Sequence, residues 1–592
     1  MTATVQEVRN SSYSEKNFKK DLEHRENASI QPGNVTFVDD DPGVKPQVHL
    51  RTWIAVAAMW IVNFTGVLAL NGPPTVLSFM AEDLHGTANQ TWIANSISLV
   101  QAVICPVLCS ISDVFQMRKH LLLGCAVISF VGCAIAPGST NVYRVIAAQT
   151  MIGFGFASIP LCLSVPSEIL PRKWRPQALG MMNVAASIGA SVGPIVIGSL
   201  TKDTAENGWR YFYWFQMGLW GLAALGVLTC YQPPKRHTLL DHLSLFQKIG
   251  RIDIIGAFLM TAGLALFLAA LNLGGTSFSW VSTQVLSPLL VGVAVLVVFA
   301  VYEWKGTTIG ILHHDLFRLG KPYKRTLIIC YALVAVEGAV LFSYVIFYPI
   351  TTETLFETDP LLVAVRLIPF WLASGLSTMA FGWFSTKFRT IKYPLAVGYL
   401  IYMAGMVGFS TIQPGHNANA VAFAIVSGLG FGGPLILVFT GVQLCVPHSL
   451  LATATAVCTS IRSVAGTVFT AIYSAVYASR ISGNISSYVS KAVTEAGLPT
   501  ESIGPFIAAL TGADAQEGLS KVEGINETIV AAGEAAIKHA YADSLRYSFI
   551  IAAAVGVVGF ILCFFVGDLK STMNYQIDAG LEKPSAERAE EN

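Results

Sequence analysis

Charge is what this chain has least of. Only 12% of its 592 residues are Asp, Glu, Lys or Arg, against 53% hydrophobic ones, where soluble domains carry about 25% charge. That scarcity excludes an ordinary soluble domain and indicates an integral membrane protein. The charges present nearly cancel, to +1, and no basic stripe interleaved with aromatics occurs, so no nucleic-acid partner is expected. The ten cysteines all lie in or beside apolar runs, with the spacing of neither a disulfide framework nor a zinc site, and read as small packing residues. Histidines such as His85, His237, His313, His314 and His448 fall in polar connections. No metal centre or cofactor is therefore expected within the membrane. No Ser/His, Cys/His or carboxylate-metal arrangement stands out, which argues against an enzyme. A cleavable signal peptide is not expected either, because residues 1–50 are polar and charged and read as a disordered tail.

What the chain has in quantity is apolar runs of about 20 residues, the length that crosses a bilayer. Fourteen are read, at 52–71, 91–111, 120–138, 142–164, 177–200, 211–231, 253–273, 284–303, 326–350, 361–383, 393–412, 419–440, 452–478 and 547–567. With the amino terminus inside, the inner loops hold Arg118, Lys119, Arg172, Lys173, Arg175, Lys235, Arg236, Lys387, Arg389 and Lys392 among others. Short outer loops hold only Lys202 and Arg210. The Lys/Arg asymmetry sets topology, so both termini are expected in the cytoplasm. One long outer segment, 479–546, has glycosylation sequons at Asn484 and Asn526. Between spans 6 and 7, Leu239, Leu240, Leu243, Phe246 and Ile249 are helically spaced, as in a helix lying on the inner membrane surface, although a plain linker accounts for them equally well.

Two distant runs break alike. Gly153-Phe154-Gly155-Phe156 leads to Pro160 in span 4, and Gly428-Leu429-Gly430-Phe431-Gly432 leads to Pro434 in span 12. Matching Gly/Pro interruptions are a pointer to the binding path of a secondary transporter. The starts of spans 1 and 9, the loops after spans 2 and 10, and Ser187-Ile188-Gly189 against Ser460-Ile461-Arg462 repeat the same offset of about 274 residues. Two related halves follow, 51–231 and 326–567, with a central loop and two inserted helices at 232–325, a tail at 1–50 and another at 568–592.

Three motifs narrow the family. Ser112-Asp113-Val114-Phe115-Gln116-Met117-Arg118-Lys119 after span 2 resembles the Gly-x-x-x-Asp-x-x-Gly-Arg-Arg/Lys signature of the major facilitator superfamily, with Cys109 and Gln116 in place of its glycines. Its counterpart after span 10 has Thr386 where the acid belongs. Gly189, Gly193, Pro194 and Gly198 in span 5 resemble the Gly-x-x-x-Gly-Pro-x-x-Gly signature of exporters in that superfamily. Physically, small residues four apart let another helix approach closely, and Pro194 kinks the helix. Ser167-Glu168-Ile169-Leu170-Pro171-Arg172-Lys173-Trp174-Arg175, with the fourteen spans and the long last outer loop, is similar to the fungal trichothecene efflux pump branch of drug:proton antiporters. The resemblance covers roughly 50–570. It implies an all-α major facilitator fold of two six-helix halves plus two helices, moving a small molecule against protons as a monomer in the plasma membrane. Many fourteen-span antiporters have arginine in span 4 where this chain has Gln149, which puts a proton relay there in doubt.

Ionisable groups within spans cost about 2.5–3.5 kcal/mol on insertion scales and by default suggest function. Glu337 in span 9 and Arg462 in span 13 stand at similar depth, and the fold makes these spans neighbours. The expected coupling or gating set is Asp113, Arg118, Glu337 and Arg462. The resemblance implies a cavity lined by spans 1, 4, 9 and 12, hence the candidates Asn63, Gln149, Phe154, Phe156, Tyr344 and Phe431. The expected activity is proton-coupled efflux of a hydrophobic or amphipathic natural product. A siderophore importer of the same superfamily and a membrane sensor without transport are the alternatives.

Overall fold

The computed structural model describes residues 48–578 except 86–89, 204–206, 234–252, 276–277, 308–309, 311–319, 358, 512–521 and 523. The amino-terminal tail and the proposed surface helix at 239–249 thus lie outside the described residues. All regular structure among the described residues is helical, as it must be where no water can satisfy an exposed backbone.

Among the described residues, thirteen helices are long and apolar enough to cross a membrane. They are spans 1 (Leu50–Asn71), 2 (Gln90–Phe115), 3 (Arg118–Ile135), 4 (Val142–Ala157 continued by Ile159–Ile169), 5 (Arg175–Asp203), 6 (Gly208–Cys230), 7 (Ile254–Leu273), 8 (Thr283–Val301), 9 (Lys321–Leu355), 10 (Pro360–Phe388), 12 (Asn417–Cys445), 13 (Leu451–Glu495) and 14 (Glu527–Cys563). The other expected span, 11, is the 18-residue helix Lys392–Phe409. It packs between spans 12 and 14 like its neighbours, but Lys392, Pro394 and several tyrosines make it less apolar.

Two side-chain cores organise the bundle. One draws on residues from Ala55 to Tyr231 with Ala452 and Ala456 of span 13, and the other on residues from Leu327 to Met573 with Leu179 of span 5. Spans 7 and 8 pack on each other, and span 7 also touches spans 2 and 13. Span 8 leaves Leu290, Val291, Val297, Val298 and Val301 exposed, a surface fit for lipid and hazardous in water.

Tight approaches follow from the glycines of span 5. A Cβ at Gly189 would meet the Phe64 carbonyl oxygen at 2.5 Å, and one at Gly193 the Leu68 carbonyl oxygen at 2.8 Å. Both face the backbone of span 1, which cannot rotate aside as a side chain can. Gly198 instead faces Leu361 of span 10. Span 5 thereby joins its own half to the other, and Pro194 lies within it.

Two departures from the sequence reading concern breaks and loops. Span 4 does break, at Ser158, whose N–H bonds the carbonyls of Phe154 and Gly155 at 3.1 and 3.2 Å, just before Pro160. Span 12 runs unbroken from Asn417 to Cys445 with Pro434 inside it, because its neighbours enclose it. The described residues of 479–546, expected outside as a loop, are largely helical. Span 13 is 45 residues long, about 68 Å at 1.5 Å per residue against a hydrocarbon core of about 30 Å. Its far end, Val489 and Val493, joins Leu498, Phe506 and Ile529 in a small separate core.

Gly193→Val should therefore damage the fold where Gly124→Val, at a position with no atom within 4 Å, should not. Overpacking costs about 1–3 kcal/mol or more, and surface changes stay within about 0.5 kcal/mol. Thermal melts of both purified variants check this, and a Gly193 variant melting with the parent would contradict the close approach.

Candidate functional site

A cavity of about 220 Å³ lies between the halves. Spans 1, 2, 4 and 5 contribute Asn63, Asn71, Ser98, Gln101, Phe156, Leu179 and Asn183, and spans 9, 10, 12 and 13 contribute Phe342, Trp371, Phe431, Phe439, Thr459, Arg462 and Ser463. Its wall is thus a few amides and hydroxyls among aromatic and aliphatic surface, as small-molecule pockets are. A wider recess of about 510 Å³ on the flank between spans 1, 5 and 10 is lined by Trp60, Met181, Leu372, Leu376 and Met379 among others. Its lining has no ionisable group, and Leu376 is exposed, so it suits lipid chains better than a selected cargo.

Asn63, Phe156 and Phe431 line the central cavity, but Gln149, Phe154 and Tyr344 do not. Gln149 is fully buried within the first half, its amide donating to the Tyr213 hydroxyl at 2.8 Å. Tyr344 is stacked in the second half's core on Phe370, at 3.9 Å between ring centroids, and on Tyr348, at 4.9 Å. The paired glycines also turn away from the cavity. Gly153 abuts Val100 and Gly155 abuts Ser129 and Trp220, while Gly428, Gly430 and Gly432 abut Phe370, Tyr402 and Ser377. They bring span 4 and span 12 close to partners within each half, while the neighbouring Phe156 and Phe431 reach the cavity.

Glu337 and Arg462 meet as a pair. Arg462 Nε donates to Glu337 Oε2 at 2.7 Å, and the guanidinium lies over the Phe439 ring at 4.8 Å. Glu337 is 1% exposed, and its Oε1 and the Nη2 of Arg462 have no hydrogen-bond partner among the described residues. Removing either member would strand the other charge, at about 3–5 kcal/mol.

At the end of the bundle that carries Arg118, Lys119 and Arg172, here the basic end, the halves touch directly. Asp113 Oδ1 accepts from Arg118 Nη2 at 3.1 Å, within the first half. Its Oδ2 accepts from the Thr453 main-chain N–H at 2.9 Å and hydroxyl at 2.7 Å, in the second half. Arg118 also pairs with the buried Glu168, and His448 of the second half comes within 3.8 Å of Glu168. Further in, Ser460 donates to the Ala102 carbonyl at 3.0 Å. Spans 2 and 13 thus form a polar seal between the halves toward the basic end.

A second crossing was not legible in the sequence. Residues after span 14 reach the loop following span 4, where Arg172 Nε and Nη2 donate to Asp578 at 2.6–3.2 Å and Arg175 completes the carboxylate's shell. Arg175 also donates to the carbonyls of Ser167 at 2.9 Å and Gln443 at 2.5 Å. Glu168 and Arg175 stand in the Ser167–Arg175 motif at the basic end of span 4, where a buried acid is uncommon, which is the available signal. Nothing local marks Thr453 or Asp578. The sequons differ too: Asn484 lies inside span 13 with its Nδ2 bonded to Ser544 at 2.9 Å, whereas exposed Asn526 caps span 14 through Ile529 N–H at 2.8 Å.

A sequence profile of the fungal trichothecene efflux pump family, TRI12, matches residues 51–581. The chain belongs to that family. It is 26% identical over 416 residues to the MFS efflux transporter aclA of Aspergillus oryzae, covering 70% of this chain and 73% of that one. It is 24% identical over 434 residues to the efflux pump dotC of Dothistroma septosporum, covering 73% and 72%. The solved structure of the major facilitator proton:xylose symporter XylE aligns with a TM-score of 0.54 at 12% identity, covering 89% of this chain and 99% of that one. Such low identity speaks to the fold alone. Family and fold together make this a multi-pass efflux transporter of the major facilitator superfamily.

The Asp578 contact has a pH signature. Burial raises its carboxyl, but the charges of Arg175 and Arg172 outweigh burial and hold it below the usual carboxylate range, with a smaller effect in the same direction from His448. A depressed pKa stabilises the docked form above the free value of about 3.9, and that stability is lost as pH falls through the lower docked value. Protection of the Arg172 and Lys173 amides, which donate to Gln576 and Asn574 at 3.0 and 2.8 Å, should hold from neutrality down to the free carboxylate value of about 3.9 and fall away as pH drops further, through the lower docked value. Hydrogen exchange corrected for intrinsic rates checks this. Unchanged protection at low pH would show that the carboxylate does not hold the segment.

Proposed function

We propose that the protein exports a hydrophobic or amphipathic natural product in exchange for protons, by alternating access of the cavity to the two membrane faces. The observation that carries this reading is the Glu337–Arg462 pair in the second half, with its arginine in the wall of the cavity between the halves. A carboxylate there is the group whose charge a proton can cancel beside the cargo. Protonated, Glu337 no longer opposes the guanidinium charge, and Arg462 is free to turn to a cargo oxygen or water. Deprotonated, it restores the pair. Each state favours a different packing of spans 9 and 13, and a ligand shifts such an equilibrium by its differential affinity for the two.

In this reading the basic end is cytoplasmic, both termini lie inside, and the structure is in its inside-closed state. Asp113 and Arg118 hold that state through Thr453. The protein works as a monomer in the plasma membrane, the separate helical cap of spans 13 and 14 stands outside, and exposed Asn526 is the better glycan acceptor. The names of aclA and dotC support the direction of transport, and the exporter-like glycines of span 5 agree with it.

Glu337→Gln keeps the shape of the side chain and removes its titration. In proteoliposomes carrying an imposed proton gradient, it should lower gradient-driven flux of an exported compound at least tenfold while leaving downhill exchange without a gradient within about threefold. Gradient-driven flux at the unsubstituted rate would remove Glu337 from the coupling step.

A further inference from the structure

We infer that residues 566–578 form a strap between the two halves, and that Asp578 is its catch, released each time the basic end opens. The inference rests on the alternating-access reading above and names a positioning residue for it. The near part of the strap belongs to the second half. Val566, Leu569 and Met573 are at most 2% exposed within that half's core, and the Gly567 N–H donates to Thr326 Oγ1 at 3.2 Å.

The far part is bonded mainly to the first half, with Arg389 of the second half over the Tyr575 ring at 5.9 Å. Asn574 and Gln576 carbonyls accept from Lys173 and Arg172, Lys173 Nζ donates to the Tyr575 hydroxyl at 3.0 Å, and Asp578 is shared by Arg172 and Arg175. Met573 and Asn574 are consecutive, and one residue spans no more than about 3.6 Å. The crossing therefore has almost no slack. A motion that parts spans 2 and 13 at this end cannot leave both attachments intact.

Of the two, the first-half attachment is the one that yields. Freeing the near part would pull buried Leu569 and Met573 out of the packed core, whereas freeing the far part exchanges polar contacts for water. Arg175 adds a reason for timing, since its guanidinium also holds Gln443 at the end of span 12. Loss of the strap and loosening of that helix end are thus felt by one side chain.

The test places spin labels at Met117 and Phe388, exposed at the basic end with one in each half, in the full chain on a cysteine-free background in lipid nanodiscs. The unsubstituted protein should show a dominant short distance and a minor long one. Asp578→Asn should raise the long-to-short ratio at least tenfold, Asp578→Glu should restore it to within about threefold, and Lys173→Gln should shift it less in the same direction. A purely structural role would lower yield or melting temperature without moving that ratio. Two distances whose ratio Asp578→Asn and Lys173→Gln leave within twofold would overturn the strap alone. One unchanging distance in the unsubstituted chain, across pH and gradient, would overturn alternating access and the strap with it.

Discussion

The carboxylate of Asp113 is where the two halves of this transporter meet as charge and dipole. One oxygen answers Arg118 of its own half, and the other takes two bonds from Thr453 of the opposite half. Without an ionised acid at that point, Arg118 would be buried against Glu168 alone and the first turn of span 13 would lose its anchor. Hydrogen bonds to charged groups contribute about 1.5–3 kcal/mol each, so the two Thr453 bonds amount to about 3–6 kcal/mol. Moving an equilibrium from 1:99 to 99:1 takes about 5.5 kcal/mol. Under the proposed alternating access, a seal of that size would suffice to set a resting state and still be reversible by binding.

Around that seal, span 5 supplies the opposite property. Its glycines place it against the backbone of span 1 and against span 10 of the other half, where a Cβ at Gly180 would meet the Thr378 carbonyl oxygen at 3.1 Å and one at Gly382 of span 10 that of Pro176 at 2.9 Å. Contact between spans 5 and 10 runs from the basic end to the opposite one. Lipid offers no hydrophobic drive for helices to associate, so such close dispersion contact is what holds them. One interface of small residues that can slide and one polar seal that can break are the parts a rocking motion needs. The Glu337–Arg462 pair has its arginine in the cavity wall, where the proposed coupling needs it.

Much of the fold was legible because membrane physics leaves few choices. Apolar runs of bilayer length must be helices, and the basic residues gather at one end of them. The site was legible in part, and the misses have a common cause. Gln149 and Tyr344 stand at plausible depth, but depth along a helix says nothing about rotation around it, and both turn into their own half. The glycine echo was informative about which helices matter and misleading about which atoms do, since glycine marks the side pressed to a neighbour. The Glu337–Arg462 match succeeded because two lone charges at equal depth in adjacent helices have few other partners. Asp578 lies about 400 residues from Arg172, beyond the last span in a polar tail, and no local periodicity could have joined them.

Alternating access as proposed requires the contact between spans 2 and 13 to part for cargo to pass. A direct measurement introduces cysteines at Ala102 and Ser460, which touch across the seal, in an otherwise cysteine-free chain, and joins them with a short reversible crosslink. Flux in proteoliposomes should fall by at least tenfold when the link is made and return when it is reduced. Full flux through the linked protein would contradict the account, because the halves would then carry cargo without opening at this end.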